Sequence, residues 1–490
     1  MKTRFAPSPT GFLHIGGFRT ALFAYLHAKK NNGKFLLRIE DTDRERFVEG
    51  GMDNILNSLY WAGIVPDEGI TIKNNKVIQK GKDGPYIQSE RLEIYKKHIS
   101  ILLDNGTAYK CFCTKERLDI LRKNQEKNKM PTGYDSYCAN LSEDELKEKL
   151  DNSEKFVIRF KIPKDQVIVV RDLIRGDVKF ATNLLDDHVL IKSDGFPTYH
   201  FAVVVDDHLM KITDVIRGEE WLPSTPRHIA LYNAFGWNIP VFAHLPLLIN
   251  EQKQKLSKRH GDVSVTDFIE KGYLAEGLIN FVAFLGWNPG DEREIFSIKE
   301  LESEFDINKV GKSPAVFNID KLNWITGQYI KKMDNTDLGT LILPYLNNSD
   351  LCSTAEMIDS TLIALAKMCK DRMTKLSDIV ELSGFIFPNF LEYDVNLLVW
   401  KKSDLNSAKN NLKCLLDFLD KIENKYWNEE WLDEKIQSWI QANNYSVGEI
   451  LWPMRVALSG QKNSPGPFEI ASVLGKEKTL NRIRYAISSL

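Results

Sequence analysis

A histidine and a glycine pair stand at the start of a predicted helix near the amino terminus. The stretch FAPSPTGFLHIGGFRTAL, residues 5–22, reads as a short strand, a turn rich in Pro and Gly, and then a helix. The start of a helix offers unpaired N–H groups and a partial positive charge, which attract phosphate. Glycine lets a phosphate or a flat base approach the backbone closely. His14, Gly16 and Gly17 could therefore form a nucleotide pocket, in which His14 donates to phosphate oxygens as charge develops. A histidine satisfied within an ordinary turn is the alternative.

A basic loop much later in the chain could act on the same nucleotide. The segment KLSKR, residues 255–259, carries Lys255 and Lys258 on either side of a serine and lies in a predicted loop. Such a loop suits the clamping of a polyphosphate, although a solvated basic loop looks the same in isolation. A histidine–glycine turn and a lysine–serine–lysine loop in one chain are harder to obtain by chance than either feature alone.

The elements around the first motif alternate between strand and helix. TRFAPS and KFLLRIED predict strands, and each is followed by a helical pattern, GGFRTALFAYLHAKKN and EGGMDNILNSLYWAGI. This βαβα order favours a doubly wound parallel sheet, whose ligands bind at the carboxyl ends of the strands. We therefore expect Arg4, Ser8, His14 and Glu40 to converge on one crevice.

The pattern changes between residues 111 and 203. A charged helix is predicted over 115–129, and the strand-like runs KFVIRFKIP, QVIVVRDLI and DHVLIKSDGFPTYHFAVVVDDH follow. The stretch ITDVIRGEEWLPSTPRHIALYNAFGW restores the strand–turn–helix order, so we expect an α+β insertion that splits the first domain. From about residue 267 the pattern is helical, and five tryptophans in the last 150 residues predict the core of a helical bundle.

The bulk composition excludes several classes of protein. With 490 residues the chain is too long for one core, and its net charge of −2 gives no global positive field. No window approaches 18 consecutive apolar residues, so no membrane span is expected. The start MKTRFAPSPTG lacks the apolar segment of a secretory signal, and we expect a cytoplasmic protein.

Three of the six cysteines lie close together in the predicted insertion. Cys111 and Cys113 are separated by one residue, and Cys138 follows 25 residues later. This spacing suits a thiolate site for zinc, with free cysteines as the alternative. The other three are scattered in helical sequence and read as buried thiols: Cys352, Cys369 and Cys414.

The histidine–glycine turn and the basic loop resemble the HIGH and KMSKS signatures, respectively, of class I aminoacyl-tRNA synthetases. Here they read HIGG and KLSKR, and the departures at Gly17 and Arg259 match the glutamyl branch, whose leading stretch looks like APSPTGxLHIGGxRTAL. RIEDTDRER, the segment from DGFPTYHF to NAFGW, and FNIDKLNWITGQYI also resemble bacterial-type glutamyl-tRNA synthetases. The resemblance spans the chain and is densest over residues 3–330.

The resemblance implies a two-step reaction. Glutamate attacks the α-phosphate of ATP to give glutamyl-adenylate, and the 3′ end of tRNA-Glu then takes the glutamyl group, with Mg²⁺ accompanying ATP. Positioning and charge stabilisation would dominate the catalysis. The implied catalytic residues are His14, Lys255 and Lys258, of which Lys258 is the best candidate for stabilising the transition state. The implied ATP-binding residues are Ser8, Thr10, His14, Gly16, Gly17, Glu220, Leu248, Lys255, Leu256, Ser257 and Lys258.

A glutamate pocket needs one anion for the ammonium group and cations for two carboxylates. Glu40 suits the ammonium group, and Arg4 and Arg217 suit bidentate contacts to carboxylates. A structural ion pair is the alternative for Glu40 and Arg217. In glutaminyl relatives the position of Arg217 is not arginine, and a neutral amide would leave a buried arginine unpaired, so glutamine should be rejected. The implied glutamate-binding residues are Arg4, Ala6, Ser8, Glu40, Tyr199 and Arg217.

The resemblance also implies a structural zinc site and an anticodon reader. Some glutamyl-tRNA synthetases resemble this chain in a Cys-x-Cys…Tyr-x-x-x-Cys zinc site within the domain that grips the acceptor end. The implied ligands are Cys111, Cys113, Tyr134 and Cys138. Arg372 matches an arginine associated with reading the third anticodon base of tRNA-Glu, whereas the lysines around it could simply form a solvated helix face.

The implied domain order has five segments. Residues 1–110 and 204–250 form the two halves of a Rossmann-type catalytic domain, residues 111–203 the acceptor-end insertion, residues 251–335 the KMSKS-like loop and stem-contact domain, and residues 336–490 the helical anticodon-binding part. A monomer is expected.

Four other functions are consistent with parts of the pattern. They are a glutaminyl-tRNA synthetase, a shortened paralogue that glutamylates a modified tRNA base, a catalytically silent RNA-binding paralogue, and a small-substrate nucleotidyltransferase. Arg217, the long helical C-terminal part and the two intact motifs count against them. Within the glutamyl branch, some members charge only tRNA-Glu and others also charge tRNA-Gln.

Overall fold

Two compact units make up the chain. The first consists of Met1–Glu270 and Leu278–Ile319, and the second of Lys271–Gly277 and Asp320–Leu490. The computed structural model describes residues 1–43, 45–256, 263–349, 351 and 359–490. Across these described ranges, no helix combines the length and apolar character needed to cross a membrane.

The strands lie mainly in the first unit. In chain order they are β1 Lys2–Phe5, β2 Lys34–Leu37, β3 Glu68–Lys73, β4 Lys76–Lys80, β5 Ala108–Cys111, β6 Val157–Phe160, β7 Val167–Asp172, β8 Gly176–Ala181, β9 Val189–Ile191, β10 Asp214–Gly218, β11 Val241–Leu245, β12 Leu248–Ile249 and β13 Ala315–Val316.

Helices connect these strands and form nearly all of the C-terminal part. They are α1 Ile15–Lys30, α2 Gly51–Trp61, α3 Leu92–Asp104, α4 Lys115–Lys127, α5 Glu143–Asp151, α6 Tyr199–Leu209, α7 Thr225–Phe235, α8 Val265–Glu270, α9 Ala275–Ala283, α10 Ile298–Glu304, α11 Ile319–Lys332, α12 Asn335–Asn347, α13 Asp359–Cys369, α14 Asp378–Ser383, α15 Leu405–Asp420, α16 Glu429–Ala442, α17 Val447–Ser459 and α18 Pro467–Ser489.

An eight-stranded sheet in the order β4-β3-β2-β1-β10-β11-β7-β8 forms the centre of the first unit. Its middle strands, β2, β1, β10 and β11, run parallel and are almost fully buried, as parallel strands covered by helices are. The hairpins β3–β4 and β7–β8 are antiparallel and lie at the two edges. Because the middle strands are parallel, their carboxyl ends share one edge of the sheet, which brings Arg4, Glu40 and Arg217 together.

The strand-like run DHVLIKSDGFPTYHFAVVVDDH is predicted correctly only in its first part, which contains β9. The run YHFAVVVDDH forms helix α6, in which every residue from Phe201 to Asp207 is buried. A helix buried on all sides has no amphipathic period, so its apolar β-branched run is typical of a strand when only the sequence is available.

The hairpin β7–β8 falls within the range that we predict to be the insertion. It nevertheless extends the main sheet, because Asp172 at the end of β7 pairs with Phe242 of β11. The separate three-stranded sheet β5-β6-β9 is also formed from this range.

The second unit is helical. Helix α15 turns Ala408, Leu412, Leu415 and Leu419 inward at spacings of three and four residues, and the other helices add leucine, isoleucine and methionine to the same core. Four of the five C-terminal tryptophans pack against this core while remaining partly exposed: Trp427, Trp431, Trp439 and Trp452. The predicted fold class, an α/β sheet domain followed by an all-α part, is confirmed.

Candidate active site

A cavity of about 920 Å³ opens at the carboxyl ends of the middle strands. Nine of the predicted site residues line it: Arg4, Ala6, Ser8, Gly16, Gly17, Glu40, Tyr199, Arg217 and Glu220. Side chains that were not predicted also line it, among them Thr42, Lys192 and Trp221. The expected convergence at the strand ends is therefore found for Arg4, Ser8 and Glu40.

Glu40 forms the acidic part of the cavity wall. Arg38 donates to Glu40 Oε1 through Nη2 at 3.0 Å and Nε at 3.4 Å, so both bonds use one oxygen and Oε2 can accept from a ligand. Burial raises the pKa of Glu40 to about 6, although Arg38 and Arg4 act in the opposite direction. The carboxylate is thus ionised at neutral pH and poised to bind a cation.

Arg4 lies beside Glu40 and belongs to the same ionic network. Its Nε donates to both oxygens of Asp207 at 3.2 Å, and Arg38 Nη2 approaches Asp207 at 2.8 Å. This ion pair uses only the Nε of Arg4, so the terminal nitrogens of its guanidinium can serve a carboxylate in the cavity.

Arg217 is buried and surrounded by neutral acceptors. It donates to the Tyr199 hydroxyl at 3.1 Å, Thr225 Oγ1 at 2.8 Å and His244 Nε2 at 3.1 Å, and it lies 3.4 Å from His228 Nδ1. In the described part of the chain, no carboxylate contacts this guanidinium. Burial lowers the pKa of Arg217, and the nearby charge of Arg4 acts in the same direction.

His244 and Asp172 support Arg217 from behind and were not predicted. The Nδ1 atom of His244 lies 2.6 Å from Asp172 Oδ2, and both side chains are fully buried. The one available signal was a histidine within the apolar strand VFAHL, next to the strand that carries Arg217.

His14 caps the amino terminus of helix α1. Its Nδ1 accepts the backbone N–H of Gly16 at 3.0 Å, which leaves the proton of the neutral ring on Nε2. Gly16 and Gly17 line the cavity directly, whereas His14 is not among the described residues of its lining. A Cβ on Gly17 would come within 3.2 Å of Leu13 Cδ1, so a larger residue there would require the Leu13 side chain to shift.

The remaining predicted ATP-binding residues lie outside the cavity lining that the described residues form. Thr10 is exposed and donates its backbone N–H to Ser8, while Leu248 lies in β12 and accepts the backbone N–H of Leu256 at 3.0 Å. Lys255 is exposed and forms a β-bridge with Ile249. Ser257, Lys258 and Arg259 lie outside the described residues, as does Cys352.

The three cysteines of the predicted zinc site form a compact cluster. The sulfur atoms of Cys111, Cys113 and Cys138 all lie within 4.8 Å of one another, with Cys113 and Cys138 at 3.5 Å. The hydroxyl of Tyr134 lies 3.3 Å from the Cys111 sulfur and 3.5 Å from that of Cys113. Tetrahedral zinc requires ligand separations of roughly 3.5–3.8 Å, given Zn–S of about 2.3 Å and Zn–O of about 2.0 Å. The three cysteines are therefore compatible with a zinc site, and the Tyr134 hydroxyl lies next to them.

Arg372 lies in the second unit, in a 3₁₀ turn that follows α13. It is exposed and donates to the carbonyl of Ser464 at 2.7 Å, to which Arg455 also donates. The lysines near it are engaged in local contacts, since Lys367 pairs with Glu429 at 2.8 Å and Lys375 pairs with Asp378.

Comparison with known families accounts for both units. The model described as "tRNA synthetases class I (E and Q), catalytic domain" matches residues 1–324, and "Anticodon binding domain" matches residues 337–487. The chain belongs to the class I tRNA synthetases. Enzymes of this class use ATP, and the family predicted from the sequence is confirmed.

Curated class I synthetases resemble the chain over its whole length. The glutamate–tRNA ligase of Clostridioides difficile (strain 630) is 44% identical and covers 100% of this chain and 99% of its own. The glutamate–tRNA ligase of Alkaliphilus metalliredigens (strain QYMF) is 46% identical, and the match covers 99% of this chain and 98% of that protein.

Solved structures of class I synthetases agree with these relatives. A glutamate tRNA ligase of Elizabethkingia meningosepticum CCUG26117, crystallised in complex with its amino acid, has a TM-score of 0.89 at 38% identity and covers 100% of this chain and 99% of that one. The glutamate-tRNA synthetase of Elizabethkingia anophelis gives 0.88 at 38% identity, with the same coverage.

Proposed function

We propose that the chain is a glutamate–tRNA ligase, which activates L-glutamate with ATP and transfers it to the 3′ end of tRNA-Glu. One observation carries the choice of amino acid: Arg217 presents a buried positive charge that only neutral acceptors contact within the described residues. A ligand carboxylate would supply the missing counter-ion. The curated relatives, which are glutamate–tRNA ligases, support the same choice.

The charges around the cavity match free glutamate. Glu40 would hold the ammonium group, Arg4 one carboxylate and Arg217 the other, with the Tyr199 hydroxyl beside it. The other buried arginines of this network already contact acids, since Arg38 meets Glu40 and Arg91 meets Asp206 at 2.7 Å. A glutamine amide would leave the buried charge of Arg217 without a counter-ion, so a glutaminyl enzyme is the less favoured function.

ATP would bind over the start of helix α1. The partial positive charge at the start of this helix and the close approach that Gly16 and Gly17 permit suit its phosphates. His14 would donate from Nε2 to the α-phosphate region as charge develops, because its Nδ1 is engaged with the helix. Lys255 and Lys258 would neutralise the phosphates together with Mg²⁺, and Glu220, Leu248 and Leu256 would contact the nucleoside side of the ligand.

Zinc would be structural. Cys111, Cys113, Cys138 and Tyr134 would hold the ion, and the ion would cross-link strand β5 to the segment that follows helix α4. Burial raises the pKa of the Cys113 thiol to about 12, so metal binding would have to release that proton. We expect the cross-link to keep the insertion ordered for the tRNA acceptor end.

The tRNA would be contacted by the insertion and by the helical part. We propose the domain boundaries predicted above, with the insertion of residues 111–203 contributing hairpin β7–β8 to the main sheet. Arg372 would read the third anticodon base in the helical anticodon-binding part, and the protein would act as a cytoplasmic monomer. Phosphate contacts would make binding depend on salt.

The test is charging of purified tRNA-Glu and tRNA-Gln with labelled glutamate, ATP and Mg²⁺, with labelled glutamine as the control. Charging of tRNA-Glu by glutamate alone supports the strict ligase. Charging of both tRNAs with glutamate keeps the chemistry but widens the set of acceptors. Transfer of glutamine, or of neither amino acid, refutes the proposal.

A further inference from the structure

A second layer of residues orients the arginine on which glutamate recognition would depend. Strands β10 and β11 are in a register that places Arg217 opposite His244. The Nε of Arg217 donates to His244 Nε2 at 3.1 Å, and the Nδ1 of His244 lies 2.6 Å from Asp172 Oδ2. The three side chains therefore form a continuous hydrogen-bonded line from strand β7 to the cavity.

The chemistry of this line fixes the protonation of its middle member. An ionised carboxylate can only accept, so the proton of His244 lies on Nδ1 and Nε2 carries a lone pair directed at Arg217. Burial also lowers the pKa of His244, which keeps the ring neutral. Thr225 adds a second neutral acceptor, taking an N–H of Arg217 at 2.8 Å.

Asp172 is itself held rigidly by the backbone. Its Oδ1 accepts the N–H groups of Ile174 at 2.9 Å and Arg175 at 2.8 Å, and its Oδ2 lies 3.0 Å from the backbone nitrogen of His244. Its direction is thus set by the turn after β7 and by β11, independently of any ligand.

We infer that Asp172 and His244 are positioning residues for recognition of the glutamate side chain, an inference that rests on the proposed function. A carboxylate in direct contact would orient Arg217 but would also neutralise it and compete with the substrate. The neutral imidazole of His244 orients the guanidinium of Arg217 without neutralising its charge. Asp172, which orients the imidazole, is separated from the guanidinium by the imidazole ring. Arg217 thereby keeps its charge for the carboxylate of the ligand.

Two substitutions at one position separate orientation from mere packing. His244→Leu removes the acceptor, whereas His244→Gln can accept from Arg217 through Oε1 and donate to Asp172 through Nε2. His208→Gln is the matched control, because this histidine stacks on Trp237 and is not part of the described cavity lining. Asp172→Asn is the second variant. If the new amide donates to His244 Nδ1, the ring proton must lie on Nε2, where an N–H would face the Nε–H of Arg217.

The measurement is steady-state charging of tRNA-Glu, with KM determined separately for glutamate, ATP and tRNA, and a melting curve for each variant. We expect His244→Leu and Asp172→Asn to raise the KM for glutamate about 10–100-fold, the loss typical of a hydrogen bond to a charged group, and to leave the KM for ATP within about twofold. In His244→Gln the KM for glutamate should stay within about threefold of the value for the unmodified enzyme.

Three results would overturn the inference. They are an unchanged KM for glutamate in a folded His244→Leu or Asp172→Asn protein, a parallel rise in the KM for ATP, and equal impairment by Gln and Leu. If His244→Leu fails to fold, Asp172→Asn and His244→Gln give the same comparison. If the unmodified chain does not charge tRNA with glutamate, the proposed function and the inference both fail, whereas normal charging with insensitive variants refutes the inference alone.

Discussion

Arg217 and Tyr199 meet at the wall of the cavity, where Nη1 of the arginine donates a 3.1 Å hydrogen bond to the phenolic oxygen. Tyr199 is the first residue of α6, and Arg217 lies in β10. The tyrosine ring also packs against Trp221, with 4.6 Å between the ring centroids. The guanidinium is therefore held by groups from separate elements, which restricts where its charge can be directed.

Replacing Arg217 should selectively impair the use of glutamate. Arg217→Ala is expected to lower kcat/KM for glutamate at least about 100-fold, because a charged hydrogen-bonding partner is lost from a buried site. Arg293→Ala is the control, since Arg293 is exposed and its ion pairs with Asp291 and Glu304 contribute little. Charging assays at varied glutamate concentration measure this effect. An unchanged KM for glutamate in Arg217→Ala would exclude this residue from the glutamate pocket.

Glutamate affinity should depend on pH through Glu40. Its pKa of about 6 lies above the ordinary value, so the carboxyl is ionised above pH 6 and increasingly protonated below it. Because the ammonium group needs the ionised form, the KM for glutamate should be flat from pH 6.5 to 8 and rise about tenfold per unit below 6. In Glu40→Gln the KM should be high at every pH, and an unchanged pH profile would contradict this role.

The imidazole of His14 should matter beyond its role as a cap. Asparagine is also a good N-cap, so His14→Asn should preserve the start of α1 while removing the Nε2 donor. We expect kcat to fall about 100–1000-fold, as when one preorganised donor to a developing charge is removed, with a melting temperature within about 2 °C. Normal kcat in this variant would leave His14 with a capping role only.

Metal content should depend on Cys138. The unmodified chain is expected to contain about one zinc per molecule, and Cys138→Ala should lose it together with thermal stability and affinity for tRNA. Cys414→Ala, which alters a thiol in the helical part, is the control. Elemental analysis and melting curves measure both effects, and a zinc-free preparation with full activity would contradict the assignment.

Arg372 should affect tRNA rather than glutamate. Arg372→Ala is expected to raise the KM for tRNA-Glu about tenfold. It should also reduce the difference in KM between tRNA-Glu and a tRNA-Glu variant whose third anticodon base is changed. Arg484→Ala is the control, because this exposed arginine on the same unit pairs with Asp420 at 3.2 Å. Equal losses for both variants would indicate a general electrostatic contribution instead.

The sequence predicts the first contacts of the cavity because of a simple geometric rule. Residues at the carboxyl ends of neighbouring parallel strands must lie close together. Arg4 and Glu40 could therefore be assigned to one crevice from the sequence alone. The spacing of Cys111, Cys113 and Cys138 likewise suffices to predict a cluster. These predictions depend on short-range patterns whose structural consequence is nearly fixed.

The supporting contacts could not be predicted in the same way. Asp172 and His244 are 72 residues apart, and no local pattern shows that β7 joins the sheet beside β11. Helix α6 was mistaken for a strand for a related reason, since its burial on all sides is a property of its neighbours. Tertiary pairing, rather than propensity, decides both features.

The position of β1 in the middle of the sheet has a consequence for synthesis of the chain on the ribosome. Thr3 pairs on one side with Phe35, which follows soon after, and on the other with Asp214, which is made 211 residues later. At about 5–20 residues per second, the second partner emerges roughly 10–40 s after the first strand. During that interval one edge of β1 is exposed beside a ribosome that is still translating, and the crevice that would bind glutamate does not yet exist.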